Sequence, residues 1–153
     1  MAGLIGPPFP DNAITSLSRV QVERITPAPV SGATQWSLGR WLIVINGADP
    51  IGRQRFSLAH EFKHVLDHPF IGTLYPATQS MTAREREEQV CDYFAACLLM
   101  PRLWLKRSWT SGTQDLRSLA REFEVSRAAM QVRLLQVGLI QPAERCEYIG
   151  AAR

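Results

Sequence analysis

His60, Glu61 and His64 stand in the order His-Glu-Phe-Lys-His, and that spacing has a geometric meaning. On a helix, residues four apart share a face one turn from each other, so both imidazoles can reach a single ion. Glu61, one residue on, is turned roughly 100° round the helix and points beside the ion, toward a water held there. Two imidazoles do not complete a metal site, and a third donor is needed. Glu88 and Asp92, in the pattern Glu-x-x-x-Asp, supply it on a second predicted helix. Glu88 can close a three-ligand shell and leave a fourth position open, as a catalytic site requires. Asp92, a turn further, can accept a hydrogen bond from the second nitrogen of His60 or His64 and so orient the ring.

Competing residues are weighed by the same geometry. Glu85 and Glu87 are rivals to Glu88, but they read as a solvated face paired with Arg84 and Arg86, and only Glu88 has an Asp four residues on. His68 is the third histidine of the chain. At 1.5 Å per residue it lies about 12 Å along the helix from His60, too far for one tetrahedral ion. A helix-end role suits it, where a cationic side chain meets the negative end of the helix dipole. Two His and one Glu lean toward zinc, with manganese or another divalent ion left open. Such an ion polarises a carbonyl and acidifies water. Glu61 is then the catalytic base that takes a proton and returns it to a leaving amine. The implied reaction is peptide-bond hydrolysis. Tyr75 and Tyr93 are candidates for stabilising the oxyanion.

The elements that must position these residues can be read from period and punctuation. Val20–Ile25 alternates as a half-buried strand does. Gly32–Trp36 and Trp41–Asn46 flank a tight turn at Ser37–Arg40, with Gly39 suited to it. From Gly52 the period becomes helical through about His68, and Pro69 stops it. Residues 69–82 read as loop. A second helix starts near Thr82 or Ala83, with Thr82 and Glu85 in capping-box spacing, and stops at Pro101. A turn at Ser111–Gln114 precedes two shorter helices, Leu116–Phe123 and Arg127–Gln136. The first twelve residues are Gly- and Pro-rich.

Hydrophobic residues make up 46% and charged ones 20%, the balance of a chain that folds around a core rather than a disordered one. The net charge of +3 hides an acidic middle, with three basic against six acidic residues over 59–101, and a mildly basic final third. Cys91, Cys97 and Cys146 are odd in number and form no C-x-x-C pair. This usage suggests a reducing, cytoplasmic setting. No leader-like apolar region follows the N-terminus, which Pro7, Pro8 and Pro10 interrupt, and no stretch approaches a membrane span.

At these residues the chain resembles the ImmA/IrrE family of metallo-endopeptidases. The resemblance rests on Arg53-Gln-Arg-Phe-Ser-Leu-Ala-His60-Glu-Phe-Lys-His64 and on Glu88-Gln-Val-Cys-Asp92-Tyr-Phe-Ala-Ala-Cys-Leu-Leu-Met-Pro101. It continues through Asp115–Ser126 and Arg133–Leu139. It implies a gluzincin-like α+β fold: a small antiparallel sheet from the N-terminal half packed on the helix pair, then a small C-terminal helical subdomain. The expected division is 1–110 and 111–153. The resemblance also implies His60, His64 and Glu88 as ligands, Glu61 as base, and a protein substrate, typically a helix-turn-helix repressor made by a neighbouring gene. Lys63 departs from the family pattern, which usually has Gly there, and its charge and bulk bear on access to the site.

The last two helices allow a second reading. They resemble a helix-turn-helix, with Arg127, Gln131 and Arg133 available for phosphate or base contact. A packing unit built on Leu119, Phe123, Met130 and Leu134 is the favoured alternative, because the local basic excess is small for binding that phosphate contacts dominate. The competing functions are therefore a DNA-binding or repressor-binding module with an inactive core, and a metal-dependent domain that binds its repressor without cutting it.

Overall fold

The computed structural model describes residues 6–141; Cys146 lies outside them. Alternating residues in Val20–Ile25 form β1, and Gly32–Ser37 and Arg40–Asn46 form β2 and β3. Leu38 and Gly39 both take positive φ, 49° and 78°, which is the two-residue hairpin turn whose twist matches the flanking strands. Gly39 carries that conformation without strain; Leu38 adopts it with its side chain 95% exposed.

The sheet order is β1-β3-β2, and it is mixed rather than antiparallel. β2 runs antiparallel to β3, as a tight hairpin must, while β1 runs parallel to β3 from Val20↔Trp41 to Ile25↔Asn46. The connection through 26–31 carries the chain past the end of β3 to the far edge. Local turn chemistry specifies the hairpin partner, but nothing local states which edge of β3 receives β1. The α+β class itself is as expected.

Ile43 and Ile45, alternate residues of the central strand, are fully buried and pack with Leu58 and the half-buried Phe62 and Val65 of α2. A short α1, Asn12–Thr15, precedes β1 and puts Ile14 into the same cluster. The helix α2 spans Ile51–Asp67. Pro69 ends its regular hydrogen bonding, yet the chain continues as a single 3-10 turn, His68–Phe70, and a four-residue helix α3, Ile71–Leu74. The segment 69–82 is thus partly helical where loop was expected, because proline is tolerated in the first turn of a helix. The next helix, α4, spans Ala83–Leu99 and opens on the anticipated capping box: Glu85 N–H donates to Thr82 Oγ1 at 3.2 Å and Thr82 N–H donates to Glu85 Oε2 at 2.8 Å. The Thr82 N–H, and then the Thr82 hydroxyl, both donating to Oε2, hold the exposed Glu85 carboxyl below its usual range.

Pro101 ends α4 and caps α5, Arg102–Thr110, a helix the pattern of Trp and Arg residues did not announce. The pair α6, Leu116–Glu122, and α7, Arg127–Gln136, each begin on a side-chain cap, Asp115 and Ser126. One apolar cluster joins Ala59, Ala95, Leu99 and Met100 to Leu105, Leu119, Phe123, Met130 and Leu134, so the core runs across position 110 without a break. No described helix is long and apolar enough to cross a membrane.

Arg55 ties the segment before α1 to the turn between α6 and α7. Its buried guanidinium meets Asp11 at 3.0 Å and Glu124 Oε2 at 2.8 Å, and donates to the carbonyls of Phe9, Phe123 and Glu124. A buried acceptor stripped of its donor costs more than an exposed one, so Arg55→Ala is expected to lower unfolding free energy by roughly 2–4 kcal/mol. Thr82→Ala, which removes only the exposed cap of α4, should cost about 1 kcal/mol. Urea unfolding of the two variants checks the ratio, and equal losses contradict the central role of Arg55.

Candidate metal centre

The chemistry-bearing residues sit where α2 and α4 face each other in antiparallel directions. His60 lies opposite Asp92, and His64 opposite Glu87 and Glu88. His60 Nδ1 donates to Asp92 Oδ1 at 2.8 Å, and His64 Nδ1 donates to Glu87 Oε1 at 2.8 Å. A carboxylate can only accept, so each bond is made by an Nδ1–H, and in the neutral imidazole that tautomer carries its lone pair on Nε2. Those two Nε2 atoms lie 3.1 Å apart. The Glu88 carboxylate stands beside them, Oε2 at 3.3 Å from His60 Nε2 and Oε1 at 3.9 Å from His64 Nε2. Two imidazole nitrogens and a carboxylate thus converge, donor types that suit a cation. Ligand bonds of about 2.0–2.1 Å in a tetrahedron set ligand-to-ligand edges near 3.4 Å. His60 Nε2 lies near that edge length from His64 Nε2 and from Glu88 Oε2, at 3.1 and 3.3 Å, while His64 Nε2 to Glu88 Oε1 is wider at 3.9 Å.

A second donor set overlaps the first. His60, His64 and Cys91 each offer an atom within 4.8 Å of the others. Cys91 Sγ, however, lies 3.7 Å from His64 Nδ1, the nitrogen already bonded to Glu87. The lone-pair directions of the two imidazole nitrogens diverge, so an ion on Nε2 is not shared through Nδ1. Burial, followed by the negative charges of Glu87, Asp67 and Glu88, pushes the Cys91 thiol up to about 12. Cys91 is fully buried on α4.

Glu87 is where sequence reasoning missed a participant. It does not lie on a solvated face paired with arginine; its side chain is 15% exposed and turned onto His64. The available signal was the His pair itself, since a second imidazole needs an acceptor as much as the first. Lys63 turns away from the site. Its ammonium meets Asp67 at 2.5 Å and lies 5.6 Å from the Phe94 ring centre, so it does not crowd the donors. Asp67 also accepts from the Tyr75 hydroxyl, and that buried Tyr75 has its own ionisation raised, first by burial and then by Asp67. Neither Tyr75 nor Tyr93 lines the cavities at the site; the exposed Tyr93 ring lies 5.8 Å from the Arg133 guanidinium. His68 stands apart from the donors, edge-on to Trp41 at 4.8 Å.

Glu61 points to the other side of α2, toward β2. Thr34 Oγ1 donates to Glu61 Oε2 at 2.7 Å. Two cavities meet at this point, and both are lined by Gly32, His60 and Glu61. One, about 990 Å³, extends past Phe56 and Arg53 to Val125, Ser126 and Ala129 at the α6–α7 corner. The other, about 460 Å³, extends past Thr34, Trp41 and His68 to Glu87 and Glu88.

The third residue proposed for nucleic-acid contact does not face solvent. Arg133 is 5% exposed, donates to the Met100 carbonyl at 3.1 Å and meets Gln136 Oε1 at 3.2 Å. An arginine with no apolar equivalent at that helical position was read as a surface group, but its partner, the open carbonyl at the end of α4, is visible only in three dimensions. Arg127 and Gln131 are exposed.

An α+β fold that sets a His-Glu-x-x-His helix against a second, acidic helix beside a strand-edged cleft is a metallopeptidase-type domain. Residues 18–135 match the family model described as the IrrE N-terminal-like domain, peptidase family M78, and the chain belongs to that family. Among solved structures it is similar to a Mycobacterium tuberculosis transcriptional regulator, with a TM-score of 0.63 and 16% identity over 82% of this chain and 39% of that one. The chain thus spans about two-fifths of that regulator's length, and the likeness is one of fold. No curated protein matches the chain in sequence.

The two donor sets give opposite expectations. Glu88→Ala should abolish stoichiometric zinc uptake while Cys91→Ser retains it, and Asp92→Ala or Glu87→Ala should weaken zinc affinity roughly 10–100-fold by releasing one ring. Competition titration against a zinc-binding dye measures all four. Zinc lost in Cys91→Ser and kept in Glu88→Ala contradicts the Glu88 set.

Proposed function

We propose that the protein is a zinc-dependent endopeptidase in which His60, His64 and Glu88 hold the ion, Glu61 is the catalytic base, and Asp92 and Glu87 orient the histidines. The observation that carries this reading is the approach of the two Nε2 atoms and the Glu88 carboxylate to one another, with a separate carboxylate, Glu61, on the neighbouring face of the same helix. Zinc bound there supplies polarisation of the scissile carbonyl and acidification of the attacking water. Glu61 takes the proton of that water as its oxygen adds to the carbonyl carbon. Glu61 then returns the proton to the amide nitrogen as the carbon–nitrogen bond breaks.

The cleft suits an extended peptide. Among the described residues β2 is an edge strand, so the backbone groups on its outer side have no strand partner there and can pair with an added chain. Gly32, Ala33 and Thr34 of that strand border the smaller cavity beside Glu61 and His64. The substrate class we propose is a helix-turn-helix repressor encoded by a neighbouring gene, which would make this a regulatory protease working in the cytoplasm. Its substrate would have to expose an extended segment to reach the edge strand.

The alternative, a DNA-binding module with an inactive core, draws on the exposed Arg127 and Gln131 of α7. It is the weaker reading, since the buried Arg133 leaves that helix with little cationic surface for phosphate contacts that govern affinity.

Incubating zinc-loaded protein with the neighbouring repressor should yield a discrete fragment. Glu61→Gln should keep its zinc and lower kcat/KM by at least about 100-fold, since it removes the proton acceptor alone. Mass spectrometry of the products checks both. A tight complex with no fragment in the native protein favours the binding-only reading over the peptidase.

A further inference from the structure

We propose that Gly32 and Thr34, on the edge strand bordering the cleft, position the Glu61 carboxylate for proton transfer. The proposal rests on the reading of Glu61 as the base and adds two positioning residues to it. Two residues apart on a strand, Gly32 and Thr34 share one face, the face toward α2. Thr34 Oγ1 donates to Glu61 Oε2 at 2.7 Å, a well-formed hydroxyl–carboxyl hydrogen bond. The same hydroxyl oxygen lies 3.4 Å from the Glu61 carbonyl oxygen, so it sits over the backbone of the residue it holds as well as over its tip. Thr34 is β-branched, which restricts χ1 and keeps the hydroxyl aimed at little entropic cost.

Gly32 supplies the space. A Cβ placed on it would lie 2.9 Å from Glu61 Cγ and 2.9 Å from Glu61 Oε1. Its φ is not in the left-handed region, so the requirement is room for the carboxylate and not backbone freedom. Any side chain at position 32 pushes the carboxylate off the strand. With Oε2 engaged by Thr34, Oε1 is left as the oxygen that takes the proton.

The strand itself is held in place by the core. Gly32 pairs with Ile45 and Thr34 with Ile43, and both isoleucines are fully buried against α2. Sheet register therefore fixes the height of the base along the helix. Because β2 is also the edge on which an extended peptide is proposed to lie, one strand would align the scissile bond and the group that delivers its proton.

Zinc-loaded full-length Thr34→Val, Thr34→Ser and Gly32→Ala are compared with the native chain. The probes are zinc content, the kinetics of cleavage of the neighbouring repressor, and crystal structures. Thr34→Val is expected to keep its zinc and its KM while kcat falls about 10–100-fold, and Thr34→Ser, which keeps the hydroxyl, to recover kcat to within about threefold of native. Gly32→Ala is expected to lower kcat with zinc retained and to show Glu61 displaced from β2. Unchanged kcat in Thr34→Val, or a Thr34→Ser as slow as Thr34→Val, overturns the proposal. If the native chain binds zinc and cleaves nothing, the peptidase reading fails by itself. The positioning claim is then decided by the Glu61 side chain: displaced in crystals of Thr34→Val it stands, and unmoved it falls.

Discussion

Everything at the candidate centre depends on how closely α2 and α4 approach while running in opposite directions. Both helices carry small buried residues, Ala59 on α2 and Cys91 and Ala95 on α4. That closeness lets carboxylates on α4 reach both nitrogens of the imidazoles on α2. Asp92 and Glu87 each accept a hydrogen bond from an Nδ1, and Glu88 stands beside the two Nε2 atoms. Half-buried imidazoles are costly to leave without partners, so the acidic helix serves packing as well as chemistry. A larger residue at 91 would separate the helices and loosen every one of these contacts at once.

The rest of the molecule keeps that helix pair fixed and open on one side. Ile43 and Ile45 press the sheet onto α2, which brings the free edge of β2 alongside Glu61. Arg55, a little more than one turn before His60, fastens the same helix to the segment before α1 and to the α6–α7 corner. Gly52 allows that corner to come so near that a Cβ would lie 2.8 Å from the backbone at Val125 and Ser126. The C-terminal helices consequently form one wall of the larger cavity, through Val125, Ser126 and Ala129. Their contribution at this end of the chain is the shape of the cleft.

Much of this was legible in the sequence because it is written in local signals. Helical period and prolines bounded α2 and α4 to within a residue or so, the capping box located the start of α4, and Gly39 marked the hairpin turn. His60, His64, Glu88 and Asp92, singled out by their spacing and by the family resemblance, stand close together across the two helices. What stayed hidden depends on partners distant in the chain. The parallel pairing of β1 turns on which edge of β3 is vacant, a choice no local residue encodes. Glu87 looked like one more solvated acid until α2 was laid beside it, and Arg133 looked like a surface cation until the Met100 carbonyl was in view. The clasp of Thr34 on Glu61 joins residues 27 apart across a helix and a strand, with no motif to advertise it.

The most direct test of the account is X-ray absorption at the zinc edge on the zinc-loaded protein. It should show only nitrogen and oxygen neighbours, at about 2.0–2.2 Å, from two imidazoles, one carboxylate and solvent. A sulfur neighbour near 2.3 Å would mean that Cys91 is the third ligand and Glu88 is not. Absence of stoichiometric zinc in a folded chain would contradict the metal centre altogether.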